Sequence, residues 1–384
     1  MFVPANRIQQ TTEYYFSRKL KEIATRNANG ENIINLGIGN PDLPPSNQTI
    51  QTLCDAANDA ANHGYQPYNG TPELRNALSK WYKKIYKTTL NPENEILPLI
   101  GSKEGILHTT LALINPGDSV LVPNPGYPTY TALSKLLGAN VIHYNLTEEN
   151  DWQIDFDELE QLDLSKIKLM WTNYPHMPTG ANANKKLFPK LVEFAKKHTI
   201  IIANDNPYSL ILNDNPTSIL QTDGAKDCCI ELNSLSKSHN IAGWRIGMVA
   251  GNEEFINWIL KAKSNIDSGM FKAMQLAAAE ALNASEQWHH TNNQIYKQRR
   301  GIAQQIVEKL HCTYDQKQVG MFLWAKIPTH YEHCEQLADK ILDQAHVFIT
   351  PGSIFGSQGD RYIRVSLCSD IDKLKNALER INKI

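Results

Sequence analysis

The chain has almost no net charge: 38 Lys and Arg stand against 40 Asp and Glu, a formal −2. Such a balance exerts no broad pull on a phosphate backbone or an anionic membrane, so neither nucleic acid nor a lipid surface is an expected partner. Cysteine is scarce too. Cys54, Cys228, Cys229, Cys312, Cys334 and Cys368 form no CxxC pair and no dense framework, which excludes a disulfide scaffold and fits a reducing cytoplasm. No apolar run approaches the roughly 18 residues of a spanning helix. Residues 1–7 lack a cationic start followed by an apolar core, so neither secretion nor membrane insertion is expected. Internal repeats and low-complexity tracts are missing as well. What remains is 384 residues, 41% hydrophobic and 20% charged, an ordinary globular composition long enough for two or three domains of about 150 residues.

From Leu36 onward, short apolar or β-branched runs alternate with segments of helical period, the pattern of an α/β protein with a mostly parallel sheet. Seven strands are expected at 96–100, 119–122, 140–144, 168–172, 200–204, 229–232 and 246–250, each bounded by Gly, Pro, Asn or Asp. Helices fill the gaps. One is opened by Thr71 as N-cap with Pro72 at its first position, and Leu74, Ala77, Leu78, Trp81, Tyr82 and Ile85 share a face that must be buried. After a helix around 270–282, residues 287–310 read as a polar helix. Strands at 321–325, 347–350 and 362–367 then alternate with helices at 335–344 and 370–381. The expectation is a large domain over 46–284 and a smaller α+β domain built from 1–45 and 285–384.

The most informative stretch is Ser234-Leu235-Ser236-Lys237, followed eight residues later by Arg245. A lone lysine in such a loop reads as a solvated surface cation. Its companions change that reading. In order they are Leu36-Gly37-Ile38-Gly39-Asn40-Pro41-Asp42, Tyr65-Gln66-Pro67-Tyr68-Asn69-Gly70, Gly101-Ser102-Lys103-Glu104-Gly105, Pro123-Asn124-Pro125-Gly126-Tyr127-Pro128, Pro178-Thr179-Gly180, Asp205-Asn206-Pro207-Tyr208 and Tyr362-Ile363-Arg364-Val365-Ser366. Together they resemble the class I/II pyridoxal-phosphate-dependent aminotransferases of fold type I over nearly the whole chain. That resemblance implies pyridoxal 5'-phosphate as cofactor and an amino acid and a 2-oxo acid as substrates. It also implies a homodimer with shared sites.

Each match has a physical reason. A Schiff base needs a primary amine whose pKa is lowered by desolvation and a neighbouring cation, which Lys237 beside Arg245 supplies; the same amine then serves as the catalytic base. The cofactor's ring nitrogen stays protonated only beside a buried carboxylate. Asp205 follows an apolar run, at the strand end where ligands of α/β sheets bind. Phosphate calls for donors and positive charge: Ser102 and Lys103 open a helix with free N–H groups, and Ser234, Ser236 and Arg245 close the other side. The resemblance further assigns Tyr208 to the cofactor's ring oxygen, Tyr127 to stacking on its ring, and Arg364, with backbone at Ile38 and Gly39, to the substrate carboxylate; Asn173 is a further candidate cofactor-binding residue. It makes Tyr65 the tyrosine that reaches the phosphate of the neighbouring subunit.

One departure stands out. The family's Pro-Asn-Asn-Pro-Thr-Gly is here Pro175-His176-Met177-Pro178-Thr179-Gly180, and the Met177 thioether cannot donate a hydrogen bond. The imine formed with Lys237 is therefore expected to be less acidic than in relatives with asparagine, unless Asn173 or His176 supplies the lost donor.

Other signals point to packing. His330, His333, Cys334 and His346 fit no zinc spacing and read as an exposed helix start, so no metal is expected. Cys228 and Cys229 begin a buried strand, and Lys297, Arg299 and Arg300 read as a solvated helix face. Arg361, next to the strand of Arg364, is the candidate for an exposed edge arginine. The stretches from Lys263 to Phe271 and from Gly101 to His108 look most like the branch with LL-diaminopimelate and alanine-type aminotransferases. Two rival readings share the fold: a cysteine–sulfur β-lyase, separated only by its products, and a non-catalytic cofactor-binding effector module.

Overall fold

The computed structural model describes residues 2–9, 11 and 13–384. Its centre is a seven-stranded sheet of β2 (Ile96–Leu99), β3 (Ser119–Asn124), β4 (Asn140–Asn145), β5 (Ile167–Thr172), β6 (Ile201–Asp205), β7 (Cys229–Ser234) and β8 (Gly247–Ala250), in the order β2-β8-β7-β6-β5-β3-β4. The four pairings from β7 across to β4 are parallel. Strand β8 runs antiparallel to both its neighbours. The reason is local: a parallel crossover needs a dozen or more residues, most of them in a helix lying across the sheet. The 235–246 connection is instead taken up by two single-turn helices, Leu235–Ser238 and Ala242–Trp244.

Strands β3, β5 and β7 are almost wholly buried, and β6 is buried beyond its first residue, which is why they read as continuous apolar runs covered by helices on both faces. The edge strand β4 carries exposed Asn140, His143 and Asn145. Thr71 caps the helix Pro72–Tyr86 by accepting the Leu74 N–H, and Leu74, Leu78, Trp81 and Tyr82 are buried as expected, with Tyr86 added. Each such large apolar side chain contributes about 1.5–3 kcal/mol on burial.

The remaining strands are β1 (Ile34–Asn35), β9 (Phe322–Lys326), β10 (Val347–Phe348), β11 (Thr350–Pro351) and β12 (Tyr362–Ser366). β1 pairs with β10, which ties the amino-terminal segment to the last third of the chain. The other three form the sheet β11-β12-β9, which places Arg364 on a central strand opposite Trp324 and Thr350. Among the described residues, no helix is long and apolar enough to cross a membrane.

Three sequence expectations need correction. The 297–300 cluster is a solvated face only at Lys297 and Gln298: Arg299 is buried and grips Asp42 with two nitrogens at 2.6 and 2.8 Å, while Arg300 donates to the carbonyls of Gln318 and Gly320. The two arginines of the helix Glu286–Lys309 therefore face protein. Arg361 is likewise no free edge arginine, since it donates to the carbonyls of Ile327, Pro328, Tyr331 and Glu332. Cys334 is buried at the start of its helix, whereas His330 and His333 are exposed as expected, His333 paired at 2.8 Å with Asp360. His346 lies at the opposite end of the same helix as its C-cap.

Candidate active site

The carboxyl ends of the parallel strands open on a cavity of about 270 Å³. Ser102, Lys103, Tyr127, Asn173, Asp205, Tyr208, Ser234, Ser236, Lys237 and Arg245 all line it, and Tyr130, Met177, Pro207 and Ala242 complete the wall. Residues scattered over 144 positions thus converge because each follows a strand: Gly101 follows β2, Tyr127 follows β3, Asn173 follows β5, Asp205 ends β6 and Ser234 ends β7. This is the ligand edge of an α/β sheet.

Lys237 stands at the third position of the single-turn helix after β7, whose N-cap Ser234 accepts the Ser236 N–H at 3.1 Å. Its amine donates to the carbonyl of Gly39, so the amino-terminal loop forms the roof of the cavity. Burial lowers its pKa, and the positive charges of Arg364 and Arg245 add to the effect.

Asp205 is buried, and only one of its carboxyl oxygens is satisfied: Oδ2 accepts from the Tyr130 hydroxyl at 2.9 Å, whereas Oδ1 has no partner. Burial pushes its pKa up to about 7, with the buried Glu231 adding repulsion and Tyr130 opposing both. An orphan carboxylate oxygen in a cavity wall is costly unless a donor or cation meets it there.

At the other end, Gly101 adopts φ +83°, and a β-carbon there would stand 2.1 Å from Nη2 of Arg245. Only glycine allows the guanidinium so close to the first turn of the Ser102–Leu113 helix. Arg245 is held by the Ala242 carbonyl at 3.0 Å and lies 3.5 Å from Ser236 Oγ. The amine of Lys103, whose pKa is lowered by burial and by Arg245, rests 4.6 Å from the centre of the Tyr14 ring. Free amides, serine hydroxyls and a guanidinium at this end could hold an anion.

Arg364 is not part of the lining itself but lies against Met177 of the wall. It is 4% exposed, donates at 2.8 Å to the Gly37 carbonyl, and packs its guanidinium 3.9 Å from the centre of the Phe322 ring and 4.6 Å from that of Phe355. Nη1 lies 3.3 Å from the sulfur of Met177, while Nε has no partner. Burial pulls its pKa down to about 10, which leaves it charged at neutral pH.

The two expected backbone partners behave differently: the Ile38 N–H is taken by Asn35 Oδ1 at 3.2 Å, and Gly39 offers its carbonyl to Lys237. Tyr65 does not reach this cavity; it is 92% exposed. His176 does not face the cavity either, because its ring nitrogens meet Thr179 Oγ1 and the Pro125 carbonyl. Asn173 lines the cavity, but its oxygen accepts the Met177 N–H at 2.8 Å and its nitrogen donates to the Asp205 carbonyl.

Sequence reasoning missed Tyr130 and the aromatic cage of Arg364. Tyr130 had a signal, since it sits three residues beyond Tyr127 at a helix start and so shares its face. Phe16, Phe322 and Phe355 come from three distant segments and carry no local mark.

Comparison with known proteins shows the family of the chain. Residues 31–381 match the family model for aminotransferase class I and II. An LL-diaminopimelate aminotransferase of Dehalococcoides mccartyi is 41% identical over 98% of this chain and 97% of that protein. One from Aquifex aeolicus is 38% identical over the full length of both. Among solved structures, substrate-bound BacF from Bacillus subtilis superposes with a TM-score of 0.94 at 36% identity, covering 100% of this chain and 98% of that one.

Proposed function

The chain belongs to the class I and II aminotransferases, which work with pyridoxal phosphate, and we propose that the residues lining the cavity divide the work of transamination as follows. When bound, the cofactor supplies an aldehyde that condenses with amines and a ring that takes up the electron pair released at the substrate Cα. The observation that carries the assignment is the unpartnered Oδ1 of buried Asp205 in the wall opposite a desolvated lysine, with the anion site beside them.

Asp205, whose carboxylate Tyr130 fixes through Oδ2, would offer its free Oδ1 to the protonated ring nitrogen. Ser102, Ser234, Ser236, Lys103 and Arg245 would hold the phosphate, Tyr127 would pack against the ring, and Tyr208 and Asn173 would line its oxygen side. Lys237 would anchor the cofactor and serve as the base for the proton at the substrate Cα; its lowered pKa favours the basic form. Arg364 grips the substrate α-carboxylate, with Ile38 and Gly39 as the loop above it. Replacing Arg364 by alanine should lower kcat/KM by about 10²-fold, mostly through KM, the scale expected for losing a charge-assisted bidentate pair. An unchanged KM in steady-state assays would reject this role.

Met177 occupies the place of a donor and lies against Arg364. With Asn173 engaged on both sides and His176 facing elsewhere, a cofactor ring oxygen would meet one donor fewer here. Met177→Asn should therefore lower the pH midpoint of the holoenzyme's visible absorbance change by about one unit, the worth of one hydrogen bond to an ionised group. An unmoved midpoint in a spectrophotometric titration contradicts this.

We further place the working enzyme in a homodimer. The exposed Tyr65, Tyr68 and Ile266 belong to two loops that pack together, since Lys263 donates to the Tyr68 carbonyl and the loop around Gly269 lies on Gln66. A second copy covering this face would receive Tyr65 in its site. The division into 46–284 and the combined 1–45 and 285–384 is supported by the β1–β10 pairing. Cytoplasmic residence is supported by six free thiols.

For the amino donor we propose LL-diaminopimelate, on the strength of relatives 38–41% identical over at least 97% of their length. Mixing the holoenzyme with a panel of amino acids and following conversion of the bound cofactor to its amine form tests this. LL-diaminopimelate should convert it and yield the 2-oxo acid. Pyruvate and ammonia released from cysteine or cystathionine would favour a β-lyase instead.

A further inference from the structure

Away from the cavity, four charged or titratable side chains that the scheme above does not use meet inside the protein. Lys263 is only 1% exposed. Its amine donates at 2.7 Å to Asp267 Oδ1 and at 2.9 Å to the Tyr68 carbonyl. Asp267 Oδ1 also accepts the Gly269 N–H at 2.8 Å, which folds the 263–269 loop onto itself. A β-carbon on Gly269 would stand 2.6 Å from the Gln66 carbonyl, so that loop and the 65–70 loop are in close contact.

The other end of the group lies on the helix that opens at the cavity. His108, fully buried, places Nε2 4.0 Å from Asp267 Oδ2 and 3.4 Å from Glu104 Oε1. The second oxygen of Glu104 accepts the Ile100 N–H at 2.9 Å, directly before the Gly101–Ser102 turn. Glu104, His108 and Asp267 have the spacing of a cation site. The cation already there is the Lys263 ammonium, within hydrogen-bond reach of Asp267.

We propose that Lys263, Asp267, His108 and Glu104 are positioning residues that join the phosphate turn of their own cavity to the loop lending Tyr65 to the second copy. This rests on the reading above that Tyr65 crosses between subunits. Each side chain holds backbone or charge on a different segment: Glu104 holds residue 100, Lys263 holds residue 68, and Asp267 and His108 meet between them. Removing a member leaves a buried charge without its partner, and both backbone ends are then free to shift. A misplacement of about 1 Å in a binding turn costs up to ~10²-fold.

Mixed dimers test this. In one arm, a subunit carrying Asp267→Asn keeps Lys237 and its partner carries Lys237→Ala. In the other arm, the Asp267→Asn subunit also carries Lys237→Ala and the partner is unaltered. Retention of pyridoxal phosphate in the single lysine-bearing site is read after dialysis by borohydride labelling of Lys237, which only that site carries. The proposal predicts weakening of about tenfold in both arms, the first through the subunit's own turn and the second through the loaned tyrosine. Weakening in one arm alone, or in neither, overturns it.

A parallel Tyr65→Phe change in the lending subunit separates the two readings. If that variant is inert, the dimer reading is wrong. If it weakens retention while Asp267→Asn does not, only the positioning chain is wrong. Should Asp267→Asn fail to assemble, His108→Asn leaves the Lys263–Asp267 pair intact and gives the same readout.

Discussion

Replacing Lys237 by alanine lowers kcat/KM by at least about 10⁴-fold, while the protein still folds and still takes up its cofactor. The size follows from two roles on one amine. It would anchor the cofactor aldehyde, and of the two amines in the cavity it is the more deeply buried, its pKa lowered by desolvation and by the charges of Arg364 and Arg245. General acid–base transfer by one positioned group is worth about 10²–10⁴-fold, and loss of covalent anchoring adds to that. Single-turnover conversion of bound cofactor, read by absorbance, checks the loss. A small primary amine added to the solution should restore part of the rate, because it can enter the space the side chain vacates. Near-normal turnover by the variant would remove Lys237 from the reaction and leave Lys103, the other amine in the same cavity, to be tested.

The second large effect belongs to Asp205. Asp205→Ala should lower turnover by about 10³-fold, the scale for removing one preorganised electrostatic partner of the transition state. Asp205→Glu should recover part of it. The same residue leaves a mark on the apoprotein. Its folded-state pKa is raised to about 7 by burial, against an unfolded value near 4. Between those values the folded state binds more protons than the unfolded one, so stability falls as pH rises from about 4 to about 7, and the loss is complete above the folded pKa. The loss is on the order of a few kcal/mol. Asp205→Asn should flatten that slope, and cofactor should offset the loss at pH 8 by placing a positive ring nitrogen against Oδ1. Denaturant melts of apo and holo protein at pH 5 and pH 8 measure both. Apoprotein stability that rises over this range would show that Asp205 does not dominate it.

Much of this arrangement is legible in the amino-acid order, for identifiable reasons. Apart from the edge strand β4, the strands of the large sheet are buried on both faces and so read as short apolar runs closed by Gly, Pro, Asn or Asp, and all seven stand within a residue or two of where the pattern places them. The cavity is legible because parallel strands end on one edge, so motifs that follow strands converge. Direction was harder to read. β8 has the composition of the parallel strands of the sheet, and only the connection that carries Lys237 and Arg245, without a crossover helix, sets it antiparallel to β7.

Contacts between distant segments leave no local trace. Arg299 looks like one more cation in a polar helix until Asp42, 257 residues away, is folded onto it. The aromatic cage of Arg364 and the Lys263–Asp267–His108–Glu104 group are of the same kind: each member is ordinary in its own segment, and the grouping exists only in three dimensions. Met177 is the converse. Its substitution is plain in the sequence, but the contact of its sulfur with Arg364 and the engagement of Asn173 on both sides come from the fold.

The most direct test of the account is to reduce the holoenzyme with borohydride, digest it and sequence the labelled peptide by mass spectrometry. The account predicts a phosphopyridoxyl group on Lys237 and on no other lysine. Label on Lys103 instead, or a protein that takes up no cofactor and carries no label, would contradict it.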